Sequence, residues 1–592
     1  MKKSLLTAAL LSTMTAYADT TELALQTVTA TRLPENVIND SQFITIDRAA
    51  IELSNAHSLT ELLSLEAGFQ FTRNGGHLNT TNLYINGLDN KRILVLVNGE
   101  RVGSGTSGAA DLQLIAPSQV ERVEIIRGTR GALYGADAQG GVINIITRKN
   151  NDGSEVALAL GSDESREVSI NSRTTINDTQ LYAALQHDQS GGYDVKADDE
   201  RDNDGYKRYG LSAGVSQRIN DQQNVSVDYQ RNQGKSEYDG NNQFDNTTDF
   251  VNQALSAAYR YNDGRLSLNA SAGRSEDNSW SYKGSESRGD GGLFATTKNT
   301  ASLISSYQLN DHHSVIIGGD YLSADVSESD TSYDEKNDST SGVLTGYRYQ
   351  KGILALELGA RYDDNNRFGD FSSFNSSATV TTEKGTVFSA GHATAFRTPT
   401  FNDLYYPGFG NPQLKPEHSR VWSAGIAQSY ASGALQLNGQ RAIFSNQIAY
   451  DENWEANNIG KSSVKSVSLV WQQDWSQFVS SKISQEWIDA KNDETGDRLR
   501  RISPRASKAV IYYCVDAITA QTEILYFEGA PKTDGGARLE SYSLLNVSLN
   551  YHLTSAASLG LRVDNLVDRE YQNISGYNAP GRNWMATARY AF

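Results

Sequence analysis

The stretch Trp584-Met585-Ala586-Thr587-Ala588-Arg589-Tyr590-Ala591-Phe592 alternates with period two: Trp584, Ala586, Ala588, Tyr590 and Phe592 lie on one face, and Met585, Thr587 and Arg589 on the other. A strand of this kind that ends the chain on an aromatic suits closure of a barrel in lipid, where an open sheet edge would leave backbone groups unpaired. Working back along the chain, Leu354, Leu356, Leu358, Ala360 and Tyr362 interleave with Ala355, Glu357, Gly359 and Arg361. Leu545, Val547, Leu549, Tyr551 and Leu553 do the same against Asn546, Ser548, Asn550 and His552. Asn262-Asp263-Gly264 is a hairpin signal between two such runs. A soluble sandwich or propeller also alternates. The about 440 residues beyond position 150 are enough for ~22 strands of ~10 residues with their turns. The expected fold is therefore membrane all-β, a 22-stranded antiparallel transmembrane β-barrel over 151–592.

Before position 150 the pattern is mixed. Ser58-Leu59-Thr60-Glu61 is a capping box, with Leu59, Leu62, Leu63 and Leu65 on one side of the helix it opens. Ile93 to Val97 is a continuous apolar run, which reads as a strand buried on both faces. Residues 36–150 are thus expected to form a compact α+β unit. At the start, Lys2 and Lys3 precede the apolar run Leu5 to Leu11, and Ala16-Tyr17-Ala18 is a small-x-small site, so residues 1–18 read as a signal peptide. That run is shorter than the ~20 residues of a spanning helix.

Composition is consistent with this reading without deciding it. The 592 residues include 30 Tyr, 50 Gly and only 9 Pro, and mean hydropathy is −0.51. A barrel whose strands face a wet lumen on one side shows such values, and so does a soluble protein. The formal net charge of −17 argues against nucleic acid as a partner. Cys514 is the only cysteine, which excludes an intrachain disulfide.

Several motifs occur in a fixed order. They are Leu83-Tyr84-Ile85-Asn86-Gly87, Ile93 to Gly99, Val123-Glu124-Ile125-Ile126-Arg127-Gly128, and Leu133-Tyr134-Gly135 continuing through Gly140-Gly141-Val142-Ile143-Asn144-Ile145. Val563-Asp564-Asn565-Leu566 through Tyr571 follows near the end. Together these resemble the TonB-dependent receptor family, over essentially the whole chain. The resemblance implies that residues 36–150 are a plug inside the barrel. It also implies that Leu25, Gln26, Thr27, Val28, Thr29 and Ala30, within 19–35, are a TonB box. Their β-branched residues favour an extended segment able to add to a sheet edge. Asn86 departs from the family's usual arginine, so a plug–barrel ion pair is expected to be missing there. Gly128, Gly131, Gly135, Gly140 and Gly141 would let the plug backbone turn and pack on the wall. Glu124 and Arg127 are candidates for lumenal ion pairs.

Within the family the likeness is to the cobalamin receptors. It implies a loop-ordering calcium ion held by Asp194, Glu200, Asp202, Asp204, Tyr238 through its carbonyl, Asp239 and Asp245. Calcium takes 6 to 8 oxygen ligands, so carboxylates from adjacent loops suit it. It further implies ligand contacts from the plug at Thr80, Asn82, Asp89, Thr106 and Ser107, and from the wall at Arg500. The expected partners are TonB with the ExbB/ExbD motor, cobalamin (vitamin B12) or another corrinoid, and outer-membrane lipid around a monomer in a Gram-negative cell. Acidic loop residues are commonly just solvated, and Arg500 serves equally as a partner for plug carboxylates.

Enzyme chemistry is not expected. Gly460-Lys461-Ser462 resembles the end of a phosphate loop, but the earlier glycine would fall at Glu455. His312-His313 has no further His or Cys beside it for zinc. The rival readings are a ferric-siderophore receptor of the same fold, a passive porin, and a membrane-embedded hydrolase, for which a Ser/His/acid set would be the mark.

Overall fold

The backbone of the computed structural model is described here for residue 32 and residues 43–147, 152–196, 202–240, 246–451 and 455–592. The expected signal peptide, the TonB-box residues Leu25 to Ala30, Glu200 and Asp245 lie outside these residues. The N-terminal unit opens with β1 (Phe43–Ile46), then α1 (Arg48–Ser54), α2 (Leu59–Ser64), β2 (Phe69–Arg73), β3 (Thr81–Ile85), β4 (Leu88–Asp89), β5 (Ile93–Val97), β6 (Glu100–Arg101), β7 (Val120–Arg127), α3 (Gly131–Tyr134) and β8 (Gly141–Thr147). One sheet runs β1-β7-β8-β5-β6 and a second β2-β3-β4.

Local chemistry explains these elements. The Ser58 side chain accepts from the backbone N–H of Glu61, and Leu59, Leu62 and Leu63 are buried on the helix that follows. All of β5 is buried, paired in parallel with β8 on one edge and antiparallel with β6 on the other. Ile93, Val95 and Val97 pack with Ile125, Ile143 and Ile145 in the plug core. Burying side chains of this size contributes about 1.5–3 kcal/mol each relative to exposure.

Twenty-two antiparallel strands, from β9 (Gly153–Gly161) to β30 (Asn583–Ala591), close into a barrel in sequence order. The seam is β30 against β9, with Met585 opposite Gly161 and Ala591 opposite Glu155. Phe592 and Ser154 exchange backbone hydrogen bonds of 2.8 Å in both directions. No edge is left open, as a strand in lipid requires. On β19 (Leu354–Asn365), Leu358 and Tyr362 face outward and are exposed, whereas Arg361 and Asp363 are buried toward the plug. On β28 (Tyr542–His552), Leu549 and Tyr551 face out, and Asn546, Ser548 and Asn550 face in. Apolar residues therefore coat the outside and polar ones the lumen, the reverse of a soluble core and the arrangement of a lipid-embedded barrel. No described helix is long and apolar enough to cross a membrane.

The plug fills the lumen and contacts the wall closely. At Gly131 an added Cβ would lie 2.7 Å from Ala395 Cβ and 2.8 Å from the Thr394 carbonyl. Gly135 adopts φ +77°, a conformation that favours glycine, beside the Arg361 guanidinium. Asn86, at φ +52°, donates from Nδ2 to Gln440 Oε1 at 3.0 Å. A neutral plug–barrel hydrogen bond stands where the family's ion pair was expected to be missing. Glu124 pairs with Arg122 at 2.8 Å, within its own strand, and Arg127 donates to the Ala67 carbonyl.

Candidate ligand vestibule and its acidic loop site

Four strands build one side of the outer mouth: β11 (Thr179–Tyr193), β12 (Asp204–Asn220), β13 (Gln223–Tyr238) and β14 (Asn246–Asn262). The outermost exposed apolar side chain on β12 is Tyr209, so Asp204 stands above the lipid-facing band. The ends of these strands bring Asp202, Asp204 and Asp239 together, with one carboxylate oxygen from each within 4.8 Å of the others. Asp204 Oδ2 accepts from the Val195 N–H at 3.3 Å, while its buried Oδ1 has no hydrogen-bond partner among the described residues. Burial, and then the neighbouring Asp239 charge, push the Asp204 carboxyl up to about 7.

Three carboxylates confined in this way suit a hard, oxygen-seeking divalent cation. Calcium fits the donor set, and Asp202, Asp204 and Asp239 are the residues that would hold it. The Asp194 carboxylate accepts instead from the Lys196 N–H at 3.1 Å, and its carbonyl accepts from Asn578 Nδ2 at 3.1 Å. Asp194 thus shapes the turn under the site. Tyr238 ends β13 opposite Asn246, one residue before Asp239.

This site rests on the plug. The β2–β3 turn passes beneath it: Tyr193 Oη donates to the Gly75 carbonyl at 3.1 Å, and Asn79 Nδ2 donates to the Glu237 carbonyl at 3.1 Å. Val195, fully buried, packs against Gly75. Thr80 is exposed where the turn enters β3, its carbonyl accepting from the Asn74 N–H at 3.0 Å, and Asn82 is half-buried opposite Thr72 on the same hairpin. These contacts link the acidic loops mechanically to a plug apex. Asn79 and Asn578 carry no motif of their own, and sequence reasoning missed them.

The second apex is covered. The α4 helix (Phe401–Tyr405) is capped by Thr400, whose Oγ1 accepts from the Asp403 N–H at 3.1 Å. The Phe401 N–H donates to the Gly105 carbonyl at 3.3 Å and the Asn402 N–H to the Thr106 carbonyl at 3.1 Å. Thr106 is buried below this helix, with its hydroxyl 2.7 Å from that of Ser104, and Ser107 is half-buried beside it. Reaching Thr106 requires the α4 loop to move.

Asp89 is engaged by charge. It pairs with Arg92 at 2.7 Å, Arg92 with Glu417 at 2.5 Å, and Arg397 with both Glu417 at 3.1 Å and Asp403 at 3.4 Å. Lys91 lies 3.5 Å from Asp403. A second network holds Arg32: its guanidinium donates to Asp320 at 2.6 and 2.8 Å and to Ser302 at 2.7 Å. Asp320 also accepts from Arg361, which pairs with Asp363 at 2.8 Å. Arg500 lies half-buried in the loop between β25 (Val479–Asn492) and β26 (Arg505–Val515), and its N–H donates to Asp534 at 2.6 Å. The structure thus groups Thr80, Asn82 and the acidic trio at one side of the mouth, with Thr106, Ser107 and Asp89 under or beside α4.

Comparison with known proteins matches this architecture. Residues 161–566 match the family described as TonB dependent receptor-like, beta-barrel, and residues 39–142 match the TonB-dependent receptor plug domain. The vitamin B12 transporter BtuB of Vibrio vulnificus (strain YJ016) is 28% identical across 100% of both chains. Among solved structures, the siderophore receptor PirA from Acinetobacter baumannii superposes with a TM-score of 0.80 at 16% identity, covering 93% of this chain and 98% of that one. A variant of the ferric enterobactin receptor PfeA from Pseudomonas aeruginosa gives 0.77 at 17% identity, covering 93% and 98%. At such identities the two structures establish the fold alone. A plugged, seam-closed barrel matched by the family over most of its length leaves one assignment: the chain belongs to the TonB-dependent receptor family, as an outer-membrane receptor of a Gram-negative bacterium that binds substrate and engages TonB.

Proposed function

We propose that the protein imports cobalamin or a related corrinoid across the outer membrane, driven by the proton-motive force through TonB and the ExbB/ExbD motor. The full-length relation to a vitamin B12 transporter carries this reading. Substrate settles on the exposed Thr80 apex beside the acidic loops. Asp202, Asp204 and Asp239 hold calcium, which neutralises like charges and lowers the ordering cost that binding would otherwise meet. No catalytic step belongs to this reading; the protein's work is recognition and gated passage.

The neutral apex supports a corrinoid over an anionic iron chelate, because Thr80, Asn82, Thr106 and Ser107 carry no positive charge to attract the latter. The test is uptake of labelled cyanocobalamin by cells that lack their own receptor and express this chain, with TonB present or deleted. Uptake that needs both proteins is expected. Uptake of a ferric siderophore and none of cyanocobalamin would overturn the cargo.

A further inference from the structure

The outer wall opposite the acidic loops carries a concentration of positive charge. It spans β22 (Glu417–Tyr430), β23 (Gly433–Tyr450), β24 (Ala456–Asp474) and β25. The chain enters β22 from the α4 loop, which lies over the plug apex, so Glu417 marks the extracellular end of that strand and Tyr430 the periplasmic end. On the outward face Trp422, Ile426, Leu435, Leu437, Val467 and Leu469 are exposed and form the local lipid band. Arg420, Arg441, Lys461 and Lys465 share that face and are also exposed.

Strand register sets their height. Trp422 pairs across to Arg441, and Arg441 to Lys465, in a single row. Val467, one outward position toward the periplasm, lies opposite Trp487. The two tryptophans mark the outer interface, where aromatic girdles sit, and they place Arg441 and Lys465 at headgroup level. Arg420 lies opposite Ile443 and Lys461 opposite Ser445, each farther out.

Arg441 and Lys465 are like charges directly opposite each other on a sheet, an arrangement that costs stability unless an anion lies between them. None of these four cations makes an ion pair among the described residues. The carboxylate across from Lys465 is Asp489, which already pairs with Lys491 at 3.1 Å and Arg498 at 3.3 Å. In a chain of net charge −17 the cluster runs against the overall balance. It combines rigid strand-borne cations, two of them arginines able to chelate phosphate oxygens, with an apolar wall directly below for acyl chains.

We propose that this face binds the phosphorylated headgroup of an outer-leaflet glycolipid of the lipid A class. The phosphates sit between Arg420, Arg441, Lys461 and Lys465, and the acyl chains lie along Leu435, Leu437, Val467 and Leu469. The ligand is a lipid, because the cation row adjoins lipid-facing apolar side chains.

The test loads the full-length protein in detergent with diphosphoryl lipid A and measures the fraction retained after exchange by native mass spectrometry. Its comparator is the quadruple variant R420Q/R441Q/K461Q/K465Q, checked for folding by heat-modifiable gel mobility. Retention is expected to fall at least about tenfold in the variant. R420K/R441K should retain the lipid, and a lipid A stripped of phosphate should be held weakly by every form. If the quadruple variant does not fold, R441Q/K465Q gives the same comparison. Equal retention by wild type and the folded variant would overturn the proposal. So would equal binding of the phosphate-free lipid, or displacement by inorganic phosphate at concentrations matching the lipid.

Discussion

Two carboxylate clusters, one around Glu417 and one at the outer mouth, are built in opposite ways. Around Glu417 every acid has its base: Arg92 and Arg397 share Glu417, and Arg397 and Lys91 face Asp403. At the outer mouth it is the acids themselves that converge: one carboxylate oxygen from each of Asp202, Asp204 and Asp239 lies within 4.8 Å of the others. The first cluster joins plug to barrel and needs nothing from outside. The second places like charges side by side, with burial and the Asp239 charge both opposing ionisation of Asp204, and under the proposed function a divalent cation would offset them.

That contrast breaks most sharply at Glu417. Glu417→Ala leaves Arg92 and Arg397 buried without their shared carboxylate, an uncompensated charge that costs about 3–5 kcal/mol. Hydrogen exchange of the β3–β5 segment and of α4 should accelerate together. Unchanged protection would mean that the network does not hold the plug.

At the outer cluster the same kind of deletion should act in the other direction. Asp204→Asn removes a charge that burial and Asp239 already oppose, so the cation-free protein should gain about 1 kcal/mol while losing at least about tenfold in calcium affinity. Thermal unfolding with and without calcium checks both signs. Loss of stability in the absence of calcium would refute the like-charge picture.

The pH dependence follows from the same carboxyl. Its folded value is raised to about 7, so below that pH it holds a proton, which competes with the cation. Calcium should bind about tenfold more weakly at pH 6 than at pH 8. Without a cation the sign reverses, and the contribution of this group to stability is lost as pH rises through about 7. Titration calorimetry at the two pH values is sufficient, and a flat profile would remove Asp204 from the ligand set.

The smallest effect is expected at Asn86. Asn86→Ala gives up the Gln440 hydrogen bond and puts a less tolerant residue at φ +52°, at about 1 kcal/mol. Equilibrium unfolding would read it, and a loss as large as that of Glu417→Ala would show that neutral and charged plug contacts carry equal weight.

Much of this was legible in the sequence. Period-two alternation at 354–362 and 545–553 reports the outside and inside of the wall directly, because each strand faces lipid on one side only. The capping box at Ser58 and the apolar run Ile93 to Val97 are local signals, and both became the elements they describe. What stayed hidden is long-range. Nothing near Asp89 announces that Arg92 will meet Glu417, and nothing near Thr106 announces α4 above it. The α4 cap itself, Thr400 with Asp403 three residues on, was readable and would have flagged a helix in that loop. Of the expected calcium ligands, Asp202, Asp204 and Asp239 converge because they lie at the ends of neighbouring strands, and Asp194 accepts from the Lys196 N–H in the turn beside them.

The most direct test is equilibrium binding of cyanocobalamin to the purified full-length protein, with calcium and after chelation. Tight binding that weakens on chelation in the wild type, and is insensitive to calcium in Asp204→Asn, is the predicted result. Absence of binding in both conditions would contradict the cargo, and tight binding indifferent to calcium would contradict the role given to the acidic trio.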